Sequence, residues 1–163
     1  MCRTIICSII ILMLSTSCSN DSYDFQGKNS ISIPDVSYSY TESEQQVMNL
    51  INNYRVENGL NALEIIDYVS IKSEEHNNYM IATNSVSHNG FVERSEDIIK
   101  ALRVHKIAEN IGYNYSSAQG VFDAWLRSPE HKKNIVGDFT SFGISIRQSS
   151  DNKKYYTNIF VKE

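Results

Sequence analysis

The chain has 163 residues, with 15 Lys and Arg against 19 Asp and Glu, and a formal net charge of −4. That length suits one domain able to bury a core without metal or disulfide staples. The acidic balance argues against nucleic acid as a partner, because phosphate-backbone binding needs clustered Lys and Arg.

Residues Ile5 to Leu14 form an apolar run preceded by Arg3 and followed by Ser15, Thr16, Ser17 and Cys18. The run is too short to span a bilayer and reads as an export signal over residues 1–17. Cys2, Cys7 and Cys18 are the only cysteines, so the exported domain has no disulfide. A lone Cys just after an apolar segment resembles the lipobox of bacterial lipoproteins, with Ser15 where an aliphatic residue is usual. Cys18 is therefore the expected lipidation site, and a membrane the expected partner through that anchor. Cleavage there removes Arg3 and leaves 14 basic against 19 acidic side chains. Residues 18–42, rich in Ser, Asn, Asp and Tyr, read as a flexible tether with a span of roughly 25 to 30 Å.

From Ser43 the pattern turns helical. Ser43 and Gln46 fit a capping box, and Val47, Leu50, Ile51 and Tyr54 follow at helical spacing until Gly59. A second helix is expected from about Asp67, with Val69, His76, Tyr79 and Met80 on one face and an end at Thr83-Asn84-Ser85. Ser95 is a candidate cap for a third helix through Ile98, Ile99 and Leu102. Ser116 and Gln119 open a fourth, whose stripe is Ala118, Val121, Phe122, Trp125 and Leu126. Ser128-Pro129 then starts a further turn, since Pro is tolerated at the first helical position.

Beyond residue 140 the period shortens to two. Phe142, Ile144 and Ile146 alternate with Gly143, Ser145 and Arg147, as in a strand with one buried face. A turn over Ser149 to Asn152 leads into Tyr155 to Val161, which carries large apolar groups on both faces and needs a layer above and below. Four helical segments and a hairpin covered on both sides predict an α/β/α three-layer sandwich with a central antiparallel sheet, over residues 43–163.

Several segments together resemble the CAP superfamily, the fold of cysteine-rich secretory and plant pathogenesis-related proteins. Asn52-Asn53-Tyr54-Arg55 with Gly59-Leu60 and Leu63 is similar to the first family helix, and His76 with Met80 to the second. Val86-Ser87-His88 resembles the family F-S-H segment, and Ala108-Glu109-Asn110-Ile111 the E-N-I element. Trp125-Leu126, Ser128-Pro129, His131 and Asn134-Ile135 resemble the bacterial W-x-x-S-P-x-H-x-x-N-I signature. Phe142-Gly143-Ile144 and Tyr156-Thr157-Asn158-Ile159-Phe160 resemble the closing strands. Six elements in family order span the predicted domain.

In the family a cleft is lined by two His and two Glu that sometimes hold a divalent metal. The resemblance implies His88 and Glu109 for two of these. Ser128 stands where the second Glu would be and Tyr155 where the second His would be. His131 is a substitute imidazole, and Asn110 and Tyr155 complete the candidate cleft. His88, Glu109 and His131 could make a set of only three ligands, which predicts at most weak, partly hydrated binding of a divalent ion such as zinc, and, with no carboxylate then left as general base, no hydrolysis that depends on it. No H-E-x-x-H and no G-x-S-x-G occurs. His76 reads as a core histidine, His105 as a surface one, and Glu109 either as a cleft residue or as an ion-pair partner of Arg94.

Three functions follow as expectations: an extracytoplasmic binding module for a lipid, glycan or protein, anchored at the cell envelope; a metal-dependent hydrolase or protease acting on envelope material; and a structural envelope protein. The residues favour the first, without an enzymatic role.

Overall fold

The computed structural model describes residues 35–163; the expected signal, Cys18 and most of the expected tether lie outside the described residues. Among the described residues five helices and four strands follow in the order α1 (Glu42–Glu57), β1 (Glu64–Ile65), α2 (Asp67–Thr83), α3 (Phe91–Leu102), β2 (Lys106–Tyr113), α4 (Ala118–Arg127), α5 (Pro129–Ile135), β3 (Ser141–Gln148) and β4 (Lys154–Lys162). Among the described residues no helix is long and apolar enough to cross a membrane.

The sheet order is β1-β3-β4-β2. β3 and β4 pair antiparallel from Ser141 opposite Val161 to Gln148 opposite Lys154, and β2 pairs antiparallel with the other edge of β4 from Lys106 opposite Lys162 to Tyr113 opposite Tyr155. The two-residue β1 joins β3 in parallel, so the sheet is mixed at that edge instead of wholly antiparallel. β2 is a strand that the sequence pattern does not announce. Its single run, Lys-Ile-Ala-Glu-Asn-Ile-Gly-Tyr, places polar residues on both faces, and its one alternating apolar set, Ile107, Ile111 and Tyr113, is interrupted by Glu109.

Side-chain alternation on β4 divides the core between two layers. Tyr156 and Phe160 join Val47, Ile51, Val121, Trp125, Ile135 and Phe142 beneath α1, α4 and α5. Ile159 and Val161 join Val69, Ile98, Leu102 and Val104 beneath α2 and α3. α2 lies unusually close to β3, because a Cβ on Gly143 would come within 2.6 Å of the Val69 carbonyl carbon and closer still to the Ser70 nitrogen. The gap is closed by hydrogen bonds: Ser73 Oγ donates to the Gly143 carbonyl at 3.2 Å and the Ile144 amide donates to Ser70 Oγ at 3.2 Å.

Three helix starts differ from the sequence reading. α1 is capped by Thr41, not Ser43: the Glu44 amide donates to Thr41 Oγ1 at 3.3 Å while the Thr41 amide donates back to Glu44 Oε2 at 2.7 Å. α3 starts at Phe91 after Gly90 in the left-handed region, and Ser95 sits inside it with a buried Oγ that has no partner among the described residues. α4 is capped by Ser117, one residue after the expected Ser116, whose Oγ accepts from the Gly120 amide at 3.1 Å.

The segment just before α1 is part of the domain, so the stretch read as tether ends in docked chain. Tyr38 Oη donates to Glu44 Oε1 at 2.8 Å and accepts from Arg147 Nη2 at 2.8 Å, and Tyr40 Oη donates to Asp67 Oδ1 at 2.9 Å. Arg55, buried on α1, donates to the carbonyls of Asn61, Ile135, Gly137 and Phe139, tying both flanking loops to one guanidinium. Carbonyl clamping of this kind satisfies an always-charged side chain that burial would otherwise penalise.

Candidate functional site

Glu109 faces the α2 and α3 layer from β2, and its side chain is 1% exposed. Arg94, one turn into α3, places Nε 2.9 Å and Nη2 2.6 Å from Glu109 Oε2. His88, in the loop between α2 and α3, donates from Nδ1 to Oε1 at 2.8 Å. His76 Nε2 on α2 lies 3.9 Å from that same oxygen and 2.9 Å from the Ser87 carbonyl. A carbonyl only accepts, so Nε2 of His76 carries the proton.

Burial alone would raise the Glu109 pKa, but the His88 hydrogen bond, followed by the Arg94 charge, holds the carboxyl below its usual range. His76 is pushed below the ordinary imidazole value, first by burial and then against the opposing pull of Glu109. Glu109 is the ion-pair partner of Arg94 and, through His88, the support of an exposed group. The His88 side chain is 50% exposed. With Nδ1–H given to Glu109, its Nε2 is left to face solvent.

His131 is half-buried on α5, in the opposite layer. Its pKa is lowered by burial first and then by the charge that His88 carries when protonated. The E-N-I and S-P-x-H-x-x-N-I segments are joined by amides. Asn110 Nδ2 donates to the His131 carbonyl at 3.0 Å, and Asn134 Nδ2 donates to Asn110 Oδ1 at 2.9 Å and to the Glu109 carbonyl at 3.3 Å. Asn110 is fully buried on the face of β2 opposite Glu109 and holds α5 in place; it does not line a cleft. Tyr155 is also not a cleft residue. It is 3% exposed, packs on Tyr113 with ring centroids 5.0 Å apart, and lies four positions along β4 from the Glu109 partner Ile159, roughly 13 Å away.

The donor set fits a divalent ion poorly. One Glu109 oxygen is held by a guanidinium, whose charge repels a cation, and the other already accepts from His88 Nδ1. Among the described residues no group of three or more His, Cys, Asp or Glu side chains is placed to share an ion. What the arrangement does chemically is orient one imidazole: a buried, doubly engaged carboxylate sets the tautomer of His88 and presents its Nε2 outward. His76 is the part least visible in the sequence, since it is separated from Glu109 by 33 residues and reads there as a core histidine.

Comparison with known proteins identifies the family and the fold. The family described as "CAP: Cysteine-rich secretory protein family" matches residues 48–161. The uncharacterized membrane protein YlbC of Bacillus subtilis is 30% identical over 128 residues, covering 75% of this chain and 35% of the relative, so the chain spans about a third of the curated relative's length. An outer surface protein from Borrelia burgdorferi shares the fold with a TM-score of 0.70 at 21% identity, over 78% of this chain and 98% of that one. An extracellular protein containing a SCP domain from Bacillus anthracis aligns with a TM-score of 0.64 at 23% identity, over 78% of this chain and 45% of that one. The chain belongs to the cysteine-rich secretory protein family of the CAP superfamily.

Proposed function

We propose that this domain is an extracytoplasmic binding module, held at the cell envelope by an acylated Cys18, that engages a lipid, glycan or protein ligand with the surface around His88 and His131. The single observation that carries the reading is the saturation of Glu109: both carboxylate oxygens are engaged by Arg94 and His88 in a side chain 1% exposed. A carboxylate so occupied is unsuited to the proton transfers of a hydrolase and well suited to fixing a recognition surface. The names of similar proteins, one an outer surface protein and another extracellular, support an envelope setting. Metal binding in this reading is weak and incidental.

The test is to purify the intact protein from the membrane fraction, identify co-purifying ligands by native mass spectrometry, and measure rebinding by calorimetry. The expected result is a ligand whose rebinding His88→Ala weakens at least about tenfold, the loss of one well-formed polar contact. A ligand-free protein holding stoichiometric zinc, with turnover of a peptide or ester substrate that a chelator abolishes, would overturn the reading in favour of a hydrolase.

A further inference from the structure

The chain holds two Asn-Gly pairs, Asn58-Gly59 and Asn89-Gly90. Asparagine is a thermolabile side chain, and its loss of ammonia runs through the backbone nitrogen of the next residue, which attacks the side-chain carbonyl carbon. Glycine in that next place has no side chain to screen the nitrogen. By sequence the two pairs are alike; their hydrogen bonds set them apart.

Asn58 is the C-cap of α1, and both nitrogens of the reaction are engaged there. The Gly59 amide donates to the Val56 carbonyl at 3.0 Å, and Asn58 Nδ2 donates to the Tyr54 carbonyl at 2.7 Å. The Leu60 amide, donating to the Arg55 carbonyl at 2.9 Å, pins the chain on the far side of Gly59. Asn84, followed by Ser85, is closed in the same way, because the Ser85 amide donates to the Met80 carbonyl at 3.0 Å.

Asn89 sits in the turn between α2 and α3, where His88, Asn89 and Gly90 are all exposed. The Gly90 amide has no acceptor among the described residues. Asn89 Nδ2 has only a contact of 3.5 Å to Tyr79 Oη, at the outer limit of a hydrogen bond. One backbone bond closes the turn, from the Phe91 amide to the His88 carbonyl at 3.1 Å. Exposed turns held so lightly lie at the low end of local opening free energies. With that bond open, the Gly90 nitrogen is free to swing onto Asn89 Cγ.

We propose that Asn89 is a self-modifying site, deamidated in the folded protein by its own backbone with water as the only co-reactant. The Gly90 nitrogen bonds to Asn89 Cγ and gives up its proton; the bond from Cγ to Nδ2 breaks, and Nδ2 leaves with that proton as ammonia. Water then opens the cyclic imide. Hydrolysis of the new bond between Cγ and the Gly90 nitrogen leaves an aspartyl residue. Hydrolysis of the original peptide bond leaves an isoaspartyl residue, with the side-chain carbons carried into the main chain. Either product places a carboxylate near Arg94, whose Nη1 lies 3.5 Å from the Asn89 carbonyl and 3.2 Å from the Gly90 carbonyl. The isoaspartyl form also lengthens the turn that carries His88, so the modification alters the backbone that presents this imidazole.

The experiment incubates the folded, full-length protein at mildly alkaline pH in ¹⁸O-enriched water, beside a sample unfolded in urea, and follows both by tryptic digestion and fragmentation mass spectrometry. In the folded protein, residue 89 is expected to gain ¹⁸O in place of its amide nitrogen about tenfold or more faster than Asn58 or Asn84, with aspartyl and isoaspartyl products separating on chromatography. In urea, Asn58 and Asn89 are expected to react at comparable rates. Asn89→Gln, whose amide stands one methylene farther from the Gly90 nitrogen, should take up no label at that position. Asn89 reacting no faster than Asn58 in the folded protein, or reacting only in urea, would overturn the proposal. A gap between the two that persists in urea would trace it to neighbouring sequence instead of hydrogen bonding, and label in Asn89→Gln would show a route other than ring closure; each overturns it too. None of these outcomes bears on ligand binding at the His88 surface, because the reaction is read with no ligand present.

Discussion

Arg94 directs both Nε and Nη2 onto a single oxygen of Glu109, Oε2, at 2.9 and 2.6 Å. This side-on geometry leaves Oε1 free for His88 and gives one buried carboxylate two tasks: it neutralises a guanidinium that is 9% exposed and it orients an imidazole that is 50% exposed. A buried pair is costly to break from one side, because the remaining charge stays in low dielectric. Glu109→Gln is therefore expected to destabilise the domain by about 3 kcal/mol in urea denaturation. Adding Arg94→Met should recover part of that loss, since the stranded charge is then gone. A double variant no more stable than Glu109→Gln alone would show that the pair is not the dominant contact of either residue.

The same cluster sets a pH dependence with a definite sign. His76 is held below the ordinary imidazole value of 6.5 chiefly by burial, and His131 likewise by burial and then by the charge of His88. Below pH 6.5 the unfolded chain therefore binds more protons than the folded one, so stability is full above about 6.5 and is lost as the pH falls through the window beneath it. Glu109, whose pKa is depressed from 4.5, acts in the same direction at lower pH: its contribution is present above 4.5 and disappears as the pH drops through the folded value. Denaturation midpoints should stay level from about pH 8 to 7 and decline in two stages, one beginning near 6.5 and one below 4.5. A midpoint unchanged between about pH 7 and 5 would contradict the burial of the two imidazoles.

Trp125 is 1% exposed, and its Nε1–H donates to the Ile111 carbonyl at 2.8 Å. Trp125→Ala removes a large buried ring and leaves a cavity, which is expected to cost about 3 to 5 kcal/mol. Trp125→Phe keeps most of the volume but loses the donor, and should cost less. Equal losses in the two variants would mean that the hydrogen bond, not the packing, dominates.

Gly143 is demanded by sterics: the nearest backbone atoms of α2 leave no room for a Cβ. Gly143→Ala must push α2 away from β3 and lengthen the Ser73 and Ser70 hydrogen bonds, at an expected cost of about 3 kcal/mol. Thermal denaturation would check it, and an unshifted melting curve would place α2 farther from the sheet.

How far these features are legible in the sequence depends on how local their causes are. α2 begins at Asp67 and ends at the left-handed Asn84, and the α4 stripe is buried, because apolar spacing and caps act within one turn. β2 is hidden from such a reading because its identity as a strand comes from pairing with β4, 50 residues later at the Glu109–Ile159 pair, and not from its own alternation. His88 and Glu109 are paired in the sequence by resemblance alone. Asn110 shares a motif with Glu109, but adjacent strand residues face opposite layers, so a sequence neighbour becomes a helix tether instead of a site residue. Tyr155 occupies a position whose family residue lines the cleft, yet an aromatic ring there finds Tyr113 and closes the surface.

The docked segment before α1 makes the last prediction. Read for composition, residues 18–42 are all tether, but Tyr38 carries its hydroxyl onto the buried Glu44 and Tyr40 onto the half-buried Asp67. Glu44 is fully buried and depends on this segment: Tyr38 Oη and the Thr41 amide and hydroxyl supply three of its donors, while the Ile146 amide and Arg147 Nη1 supply two more at 2.8 and 3.0 Å. Burial pushes the Tyr38 pKa up to about 12, so the hydroxyl remains a donor throughout the physiological range. Tyr38→Phe deletes one charge-assisted hydrogen bond to Glu44, with an expected loss of about 1.5 to 2 kcal/mol. A chain starting at Ser43 loses the Thr41 cap as well and should be less stable again, whereas one starting at Asp35 should match the full-length protein. Urea denaturation of these three forms checks the boundary. If the chain from Ser43 unfolds at the same urea concentration as the chain from Asp35, the tether runs all the way to α1 after all, and the contacts of Tyr38 and Tyr40 contribute nothing to holding the domain together.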